Sequence, residues 1–70
     1  MTAFKQFLVG KQADHTPIGD LARDVAEDPG APDEYGALRL HLERVGCPVE
    51  VLELVDEAHD AYRRDLGDQR

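Results

Sequence analysis

The stretch Thr-Pro-Ile-Gly-Asp-Leu-Ala-Arg-Asp-Val-Ala at residues 16–26 carries a full set of helix signals. Thr16 is a typical N-cap residue, and Pro17 suits the first helical position because an N–H at that position has no acceptor within the helix. Gly19, in the first turn, costs about 1 kcal/mol relative to Ala unless close packing needs its missing side chain. The apolar residues of the predicted helix over 17–26 recur on one face: Ile18, Leu21, Ala22 and Val25.

A shorter amphipathic segment precedes this helix. Phe4, Phe7 and Leu8 lie at positions i, i+3 and i+4, so the pattern predicts a first helix over residues 3–9. Gly10 then interrupts the pattern. Each of the two helices would have an apolar face that must be buried against another element.

A third helix is predicted over residues 33–45, after a turn-forming segment at 28–32 that contains two prolines and a glycine. Its predicted core stripe consists of Tyr35, Leu38, Leu42 and Val45. Leu40 lies off that stripe and is expected to be exposed. Gly46 suits the left-handed residue that ends a helix, and Pro48 suits the start of the next one. We therefore expect a corner of two or three residues that packs the third helix against the fourth.

The fourth helix is predicted over residues 48–66 and is the longest. Its predicted apolar face consists of Val51, Leu54, Val55, Ala58 and Tyr62, and its charged face of Glu50, Glu53, Glu57, Asp60 and Arg64. Because Val51 and Leu52 are adjacent, as are Leu54 and Val55, the apolar sector is wide enough to contact several helices. This helix is expected to form the centre of the core.

The length of the chain limits the architecture to one small domain. Seventy residues hold one core, and the sequence predicts a compact all-α bundle of four helices over residues 1–66 with a frayed tail at 67–70. A Rossmann unit or a barrel does not fit into this length. A content of 41% apolar and 33% charged residues is that of a folded protein rather than a disordered one.

The charge balance limits the partners. Fifteen acidic against eight basic residues give a net charge of −7, which repels nucleic acid and anionic lipid surfaces. The apolar run Phe7–Val9 is too short for a signal peptide or a membrane span. A single cysteine cannot form an intramolecular disulfide, which fits a reducing compartment. The sequence therefore predicts a cytoplasmic protein that does not insert into membranes, with nucleic acid disfavoured as a partner.

Few residues suggest catalysis or metal binding. His15, His41 and His59 show no i, i+4 pair of the kind that binds a metal, so we expect no metal site, with His15 and His41 solvated and His59 half-buried. Cys47 precedes a helix, where a thiolate would be stabilised, but a small apolar residue also suits that corner and no base is adjacent. Burial is the favoured role of Cys47. We expect no cofactor and no enzymatic activity.

A resemblance to a known family extends over residues 4–62, and the run Ile18–Ala22 is its most specific part. The other residues that carry it are Phe4, Phe7, Leu8, Pro17, Asp24, Asp28, Pro32, Leu38, His41, Leu42, Asp56, Glu57, Ala58 and Tyr62. In the order of these residues the chain resembles the small bacterial YozE-like family, whose members adopt a sterile-alpha-motif-like (SAM-like) fold. The resemblance implies a compact four-helix SAM-like bundle whose last helix is longest, with no catalytic motif. SAM-like bundles bind proteins, self-associate or bind nucleic acid, and fold alone does not choose among these.

The leading functional hypothesis is a non-enzymatic interaction module that binds a protein partner or another copy of itself. Its acidic surface and its exposed apolar residues would make the contact. The alternative is a nucleic-acid-binding bundle that uses an arginine patch on the third and fourth helices, with Arg44 and Arg64 as further members. The residues predicted to form the interaction surface are Leu40, Val49, Glu50, Glu53, Arg39 and Arg63.

Overall fold

The computed structural model describes residues 3–66. Over that range the chain forms four α-helices and no strand: α1 (Phe4–Val9), α2 (Pro17–Ala26), α3 (Tyr35–Arg44) and α4 (Val49–Leu66). The predicted all-α bundle of four helices, with the last one longest, is confirmed. The tail predicted at 67–70 lies outside the described residues.

The core forms around α4, which packs against each of the other three helices. α1 also contacts α2 and α3, so the short first helix lies across the bundle. No polar or charged residue among residues 3–66 is fully buried. The buried apolar residues are Phe4 and Leu8 of α1, Leu21, Ala22 and Val25 of α2, Ala31 of the α2–α3 loop, Leu38 and Leu42 of α3, and Leu52, Val55 and Ala58 of α4.

The start of α2 matches the sequence signals. The Thr16 Oγ1 accepts a hydrogen bond from the Gly19 N–H at 3.2 Å, and Pro17 occupies the first helical position. Gly19 is buried beneath the α1–α2 loop, where a Cβ would lie 2.8 Å from the carbonyl carbon of Asp14. The missing side chain of Gly19 is therefore required by close packing. Arg23 holds the same loop, since its guanidinium donates to the Gln12 carbonyl oxygen at 2.6 Å.

The corner between α3 and α4 closes as a Schellman motif. Gly46 has a left-handed φ of 91°, its N–H bonds to the Glu43 carbonyl at 3.1 Å, and the Cys47 N–H bonds to the Leu42 carbonyl at 3.1 Å. The connection is one or two residues longer than predicted, because α3 ends at Arg44 and α4 begins at Val49.

Two sequence predictions about the ends of α3 and one about the α4 face are corrected. α3 begins at Tyr35 rather than at residue 33, because Glu34 has extended backbone and serves as the N-cap. Val45 is not part of the core and is 61% exposed, since it follows the last residue of α3 at the point where the chain turns. On α4 the buried face is centred on Leu52, Val55 and Ala58. Val51, Leu54 and Tyr62 are only half-buried at its edge.

Candidate interaction surface

The predicted surface residues do not form one continuous patch. Val49, Glu50 and Glu53 lie together on the first turns of α4, and all three are exposed. Leu40 is 45% exposed on α3 and Val49 is 58% exposed, so both leave apolar surface in contact with water. Arg39 is half-buried, whereas Arg63 is exposed.

Arg39 is held in a polar network between α3 and α4. Its Nε donates to the Asp56 Oδ1 at 2.9 Å, and its Nη1 donates to the Glu43 Oε2 at 3.4 Å. The Tyr35 hydroxyl donates to the same Asp56 Oδ1 at 2.6 Å. The Tyr35 and Arg39 hydrogen bonds lower the pKa of Asp56 below its usual value, and the Asp56 bond raises the pKa of Tyr35. Arg39 therefore connects two helices and has little capacity left for a partner.

The sequence pattern did not predict this network. Arg39 lies seven residues before Gly46, whereas Asp56 lies ten residues after it, and the residue at the equal distance is Glu53. Counting outward from the corner would therefore have paired Arg39 with Glu53, because the local pattern does not fix the register between the two helices.

The structure separates the arginines that the nucleic-acid hypothesis requires. Arg44 is the last residue of α3, next to the corner, whereas Arg63 lies about 21 Å along α4 from Val49. Arg39 faces Asp56, which is about 10 Å before Arg63 on the same helix. Among residues 3–66, none of these arginines stacks on an aromatic ring.

Five rings form a cluster where α1, α3 and α4 meet. Tyr35 stacks on His59 with ring centroids 3.8 Å apart, and Phe4 meets both rings and Tyr62 edge-on at 5.5–5.7 Å. Phe7 extends the cluster through Tyr62 at 5.4 Å. His59 is half-buried, as predicted. Its role here is packing, since edge-to-face and stacked ring pairs stabilise a core.

A second side-chain pair joins the α2–α3 loop to α3. The His41 Nε2 lies 2.8 Å from the Asp28 Oδ2, and the Gly30 N–H donates to the Asp28 Oδ1 at 2.9 Å. The hydrogen bond with His41 is the main cause that lowers the pKa of Asp28, and the bond from the Gly30 N–H lowers it further. The expectation that His41 is simply solvated is wrong: it is half-buried, because the turn at 28–32 brings the Asp28 carboxylate beside it.

The outer side of α4 carries a line of carboxylates. Its members are spaced three or four residues apart, so they follow one side of the helix over about 15 Å. All are exposed, and none of them forms an ion pair with another described residue. We call this line the acidic stripe; it consists of Glu50, Glu53, Glu57 and Asp60.

A groove of about 400 Å³ runs beside the acidic stripe, between α1, the α1–α2 loop and α4. Its floor is apolar and only half-buried except for Ala58, and its rim carries Lys11, Asp14 and Glu57. The Lys11 Nζ lies 4.8 Å from the centre of the Phe7 ring. The sequence analysis missed this groove. The apolar floor consists of Phe7, Ile18, Leu54, Ala58 and Ala61, with Pro17 at one end.

Side chains capable of chemistry do not converge elsewhere in the described part of the chain. Within residues 3–66, no three His, Cys, Asp or Glu side chains are placed to hold a metal ion. Cys47 is a free, half-buried thiol that packs against the core, and His15 is exposed in the α1–α2 loop. None of the four described helices combines the length and the apolar character needed to span a bilayer.

Comparisons of this chain with models of protein families, with curated proteins and with solved structures found no match. What the molecule does must therefore be inferred from its own residues.

Proposed function

We propose that this protein is a small non-enzymatic interaction module that binds a protein partner through the α4 side of the bundle. The observation that supports this most directly is the acidic stripe, a run of exposed carboxylates none of which forms an ion pair with another described residue. Surfaces of one sign steer and select a partner of the opposite sign. The exposed side chains of Leu40 on α3 and Val49 on α4 add apolar surface that a partner could contact.

The proposal favours a different protein over a second copy. Two copies that each carry a net charge of −7 repel one another, whereas a basic partner is attracted. We also propose that the chain belongs to the bacterial YozE-like family, because the described residues form four helices and the last helix is the longest. We further propose a cytoplasmic location, because a single cysteine cannot form an intramolecular disulfide.

A capture experiment with charge-reversed variants tests this proposal. The whole chain is immobilised, and proteins retained from a cell lysate are quantified by mass spectrometry for wild type, for Glu50→Lys/Glu53→Lys and for Asp24→Lys/Glu27→Lys. Both double variants change the net charge equally, but Asp24 lies on α2 and Glu27 is the C-cap residue of that helix, and both are exposed. We expect a partner that the wild type and the α2 variant retain and that the α4 variant loses. Identical retention by all three proteins would contradict the proposal.

Self-association is tested separately by light scattering on the eluate of a size-exclusion column. Because of the net charge, we expect a monomer, even at high protein concentration. A defined dimer would show that a second copy is the partner.

Nucleic-acid binding is the weaker candidate function. It depends on Arg39 and Arg63, but Arg39 is engaged by Asp56 and Glu43. The exposed Arg63 and Arg64 near the end of α4 are the remaining support for it. Salt-dependent binding to DNA or RNA that weakens in Arg63→Ala would favour this candidate. No binding at about 50 mM salt would remove it, because non-specific binding is strongest at low salt.

A further inference from the structure

We infer that the groove beside the acidic stripe binds a basic amphipathic helix of a partner protein. This inference rests on the proposed function and specifies its partner. It assigns the contact to the groove between α1 and α4 rather than to the exposed apolar side chains of Leu40 on α3 and Val49 at the start of α4.

The floor of the groove provides the apolar part of such a site. Phe7, Ile18 and Leu54 are large side chains that the fold leaves half-exposed in one concave surface. The small side chains of Ala58 and Ala61 leave space above α4. A volume of about 400 Å³ lies within the usual range for binding pockets, about 300–1,000 Å³. A row of apolar side chains at helical spacing is what such grooves accept.

The charges around the groove specify the occupant. Glu57 belongs both to the rim of the groove and to the acidic stripe, and Asp14 stands on the α1–α2 loop side of the groove. The stripe continues past the groove for a total of about 15 Å, which matches about ten residues of a helix. A small molecule bound in the groove would leave most carboxylates of the acidic stripe without a contact. Basic residues along the α4 edge of the apolar face would meet the stripe, and Asp14 is a single carboxylate on the opposite edge.

Among the described residues that line the groove, Lys11 is the one cation. Its ammonium group already lies over the Phe7 ring, so it is oriented by a contact within the protein. Because its positive charge repels other cations, Lys11 also favours a partner helix whose basic residues lie toward α4 rather than toward α1. The groove therefore selects the orientation of the partner helix as well as the sign of its charge.

The loop side of the groove is fixed before binding. The α1–α2 loop packs against Gly19 without space for a Cβ, and Arg23 donates to the Gln12 and Asp14 carbonyls at 2.6 and 3.4 Å. Thr16, also on the rim, is held as the N-cap of α2. A preformed site avoids the entropy cost of ordering a loop on binding.

The test uses a model peptide as the probe. It is a fluorescein-labelled peptide of about 14 residues built from Leu and Lys, with Leu on one helical face. Its control has Glu in place of each Lys. Affinity is measured by fluorescence anisotropy with the full chain, and the bound surface is located by amide chemical shifts in NMR. We expect the Lys peptide to bind, with shifts centred on Phe7, Ile18 and Leu54, and the Glu peptide not to bind.

Two pairs of matched variants separate the groove from general attraction. Ala61→Leu fills the groove, whereas Ala37→Leu adds the same side chain to the exposed side of α3. Glu53→Lys/Glu57→Lys reverses the stripe, whereas Asp24→Lys/Glu27→Lys makes the same change in net charge on α2. We expect the groove and stripe variants to weaken binding about tenfold or more, a difference of at least about 1.4 kcal/mol. The two controls should stay within about twofold of wild type. Circular dichroism checks that each variant is helical.

The outcomes distinguish this inference from the proposed function. Equal weakening by both charge-reversed variants would mean that the peptide is held by net charge alone, and the groove assignment would be overturned. Shifts centred on Leu40 and Val49 would also overturn it, while leaving protein binding through the α4 side intact. If the peptide does not bind and no lysate protein depends on Glu50 and Glu53, the proposed function fails as well.

Discussion

At the scale of single residues, Gly19 is the described glycine at which an added Cβ would approach other backbone most closely. A Cβ there would overlap the Asp14 carbonyl oxygen and lie 2.8 Å from its carbon, and both atoms are backbone. Backbone cannot move aside as a flexible side chain can. We therefore predict that Gly19→Ala lowers the free energy of unfolding by about 1–3 kcal/mol, although Ala is the better helix former. Urea denaturation followed by circular dichroism measures the change.

Gly36 provides the matched control for that prediction. It lies in the first turn of α3, and a Cβ there would meet no atom within 4 Å. Gly36→Ala should therefore leave stability unchanged or raise it by up to about 1 kcal/mol. If Gly19→Ala were as stable as Gly36→Ala, the close approach of the α1–α2 loop to α2 would be wrong.

The pKa of Asp56 depends on two hydrogen bonds from α3. The hydrogen bond from Tyr35, and then that from Arg39, lower its pKa. We predict that Tyr35→Phe and Arg39→Gln each raise the pKa of Asp56, as measured by NMR titration of its carboxyl carbon. Arg44→Gln is the control, because Arg44 lies on α3 like Arg39 but is exposed and forms no hydrogen bond with Asp56.

The lowered pKa of Asp56 has a consequence for stability. A carboxyl group whose pKa is lower in the folded than in the unfolded protein stabilises the fold above its unfolded value, about 3.9. That contribution is lost as the pH falls through the folded pKa. The wild type should therefore lose more stability than Asp56→Asn on acidification below about pH 4. Parallel pH profiles of the two proteins would contradict the stated role of this contact.

At the scale of elements, α3 shows how narrow the buried stripe of a short helix is. Leu42 is 8% exposed, whereas Leu40, two residues earlier, is 45% exposed. We predict that Leu42→Ala lowers the free energy of unfolding by about 2–5 kcal/mol, because it removes buried methyl groups and leaves a cavity. Leu40→Ala deletes the same atoms from the surface and should cost much less. A loss below about 1 kcal/mol for Leu42→Ala would mean that the other face of α3 is buried.

The helices themselves could be predicted because each signal is local. Thr16, Pro17 and Gly46 act on the backbone within a few residues, and their roles are as predicted. Val45 fits the periodicity of α3 yet is exposed, since periodicity alone does not say where the partner helix stops covering the stripe. The groove beside Leu54 could not be predicted, because it depends on how far α1 and α4 are separated in space. That separation is set by packing between elements distant in sequence.

At the scale of the whole molecule, the acidic stripe opposes the stability of the bundle. Glu57 has a like charge three residues away at Asp60 and another four residues away at Glu53, and no described cation pairs with them. Like charges at these spacings destabilise a helix by about 0.2–0.5 kcal/mol per pair. The same unpaired charges would attract a basic partner.

Glu57→Gln should therefore stabilise the protein while weakening the binding of the Lys peptide. Removing two repulsive pairs should raise stability by about 0.5 kcal/mol, or the melting temperature by about 2–4 °C, and added salt should shrink the gain by screening. Glu50→Gln is the contrasting variant, because Glu50 lies in the first turn of α4, where a carboxylate is stabilised by the helix N-terminus. Glu50→Gln should leave the melting temperature unchanged or lower it. A fall in melting temperature for Glu57→Gln would show that Glu57 stabilises the bundle, and the stripe would then need no partner to explain it.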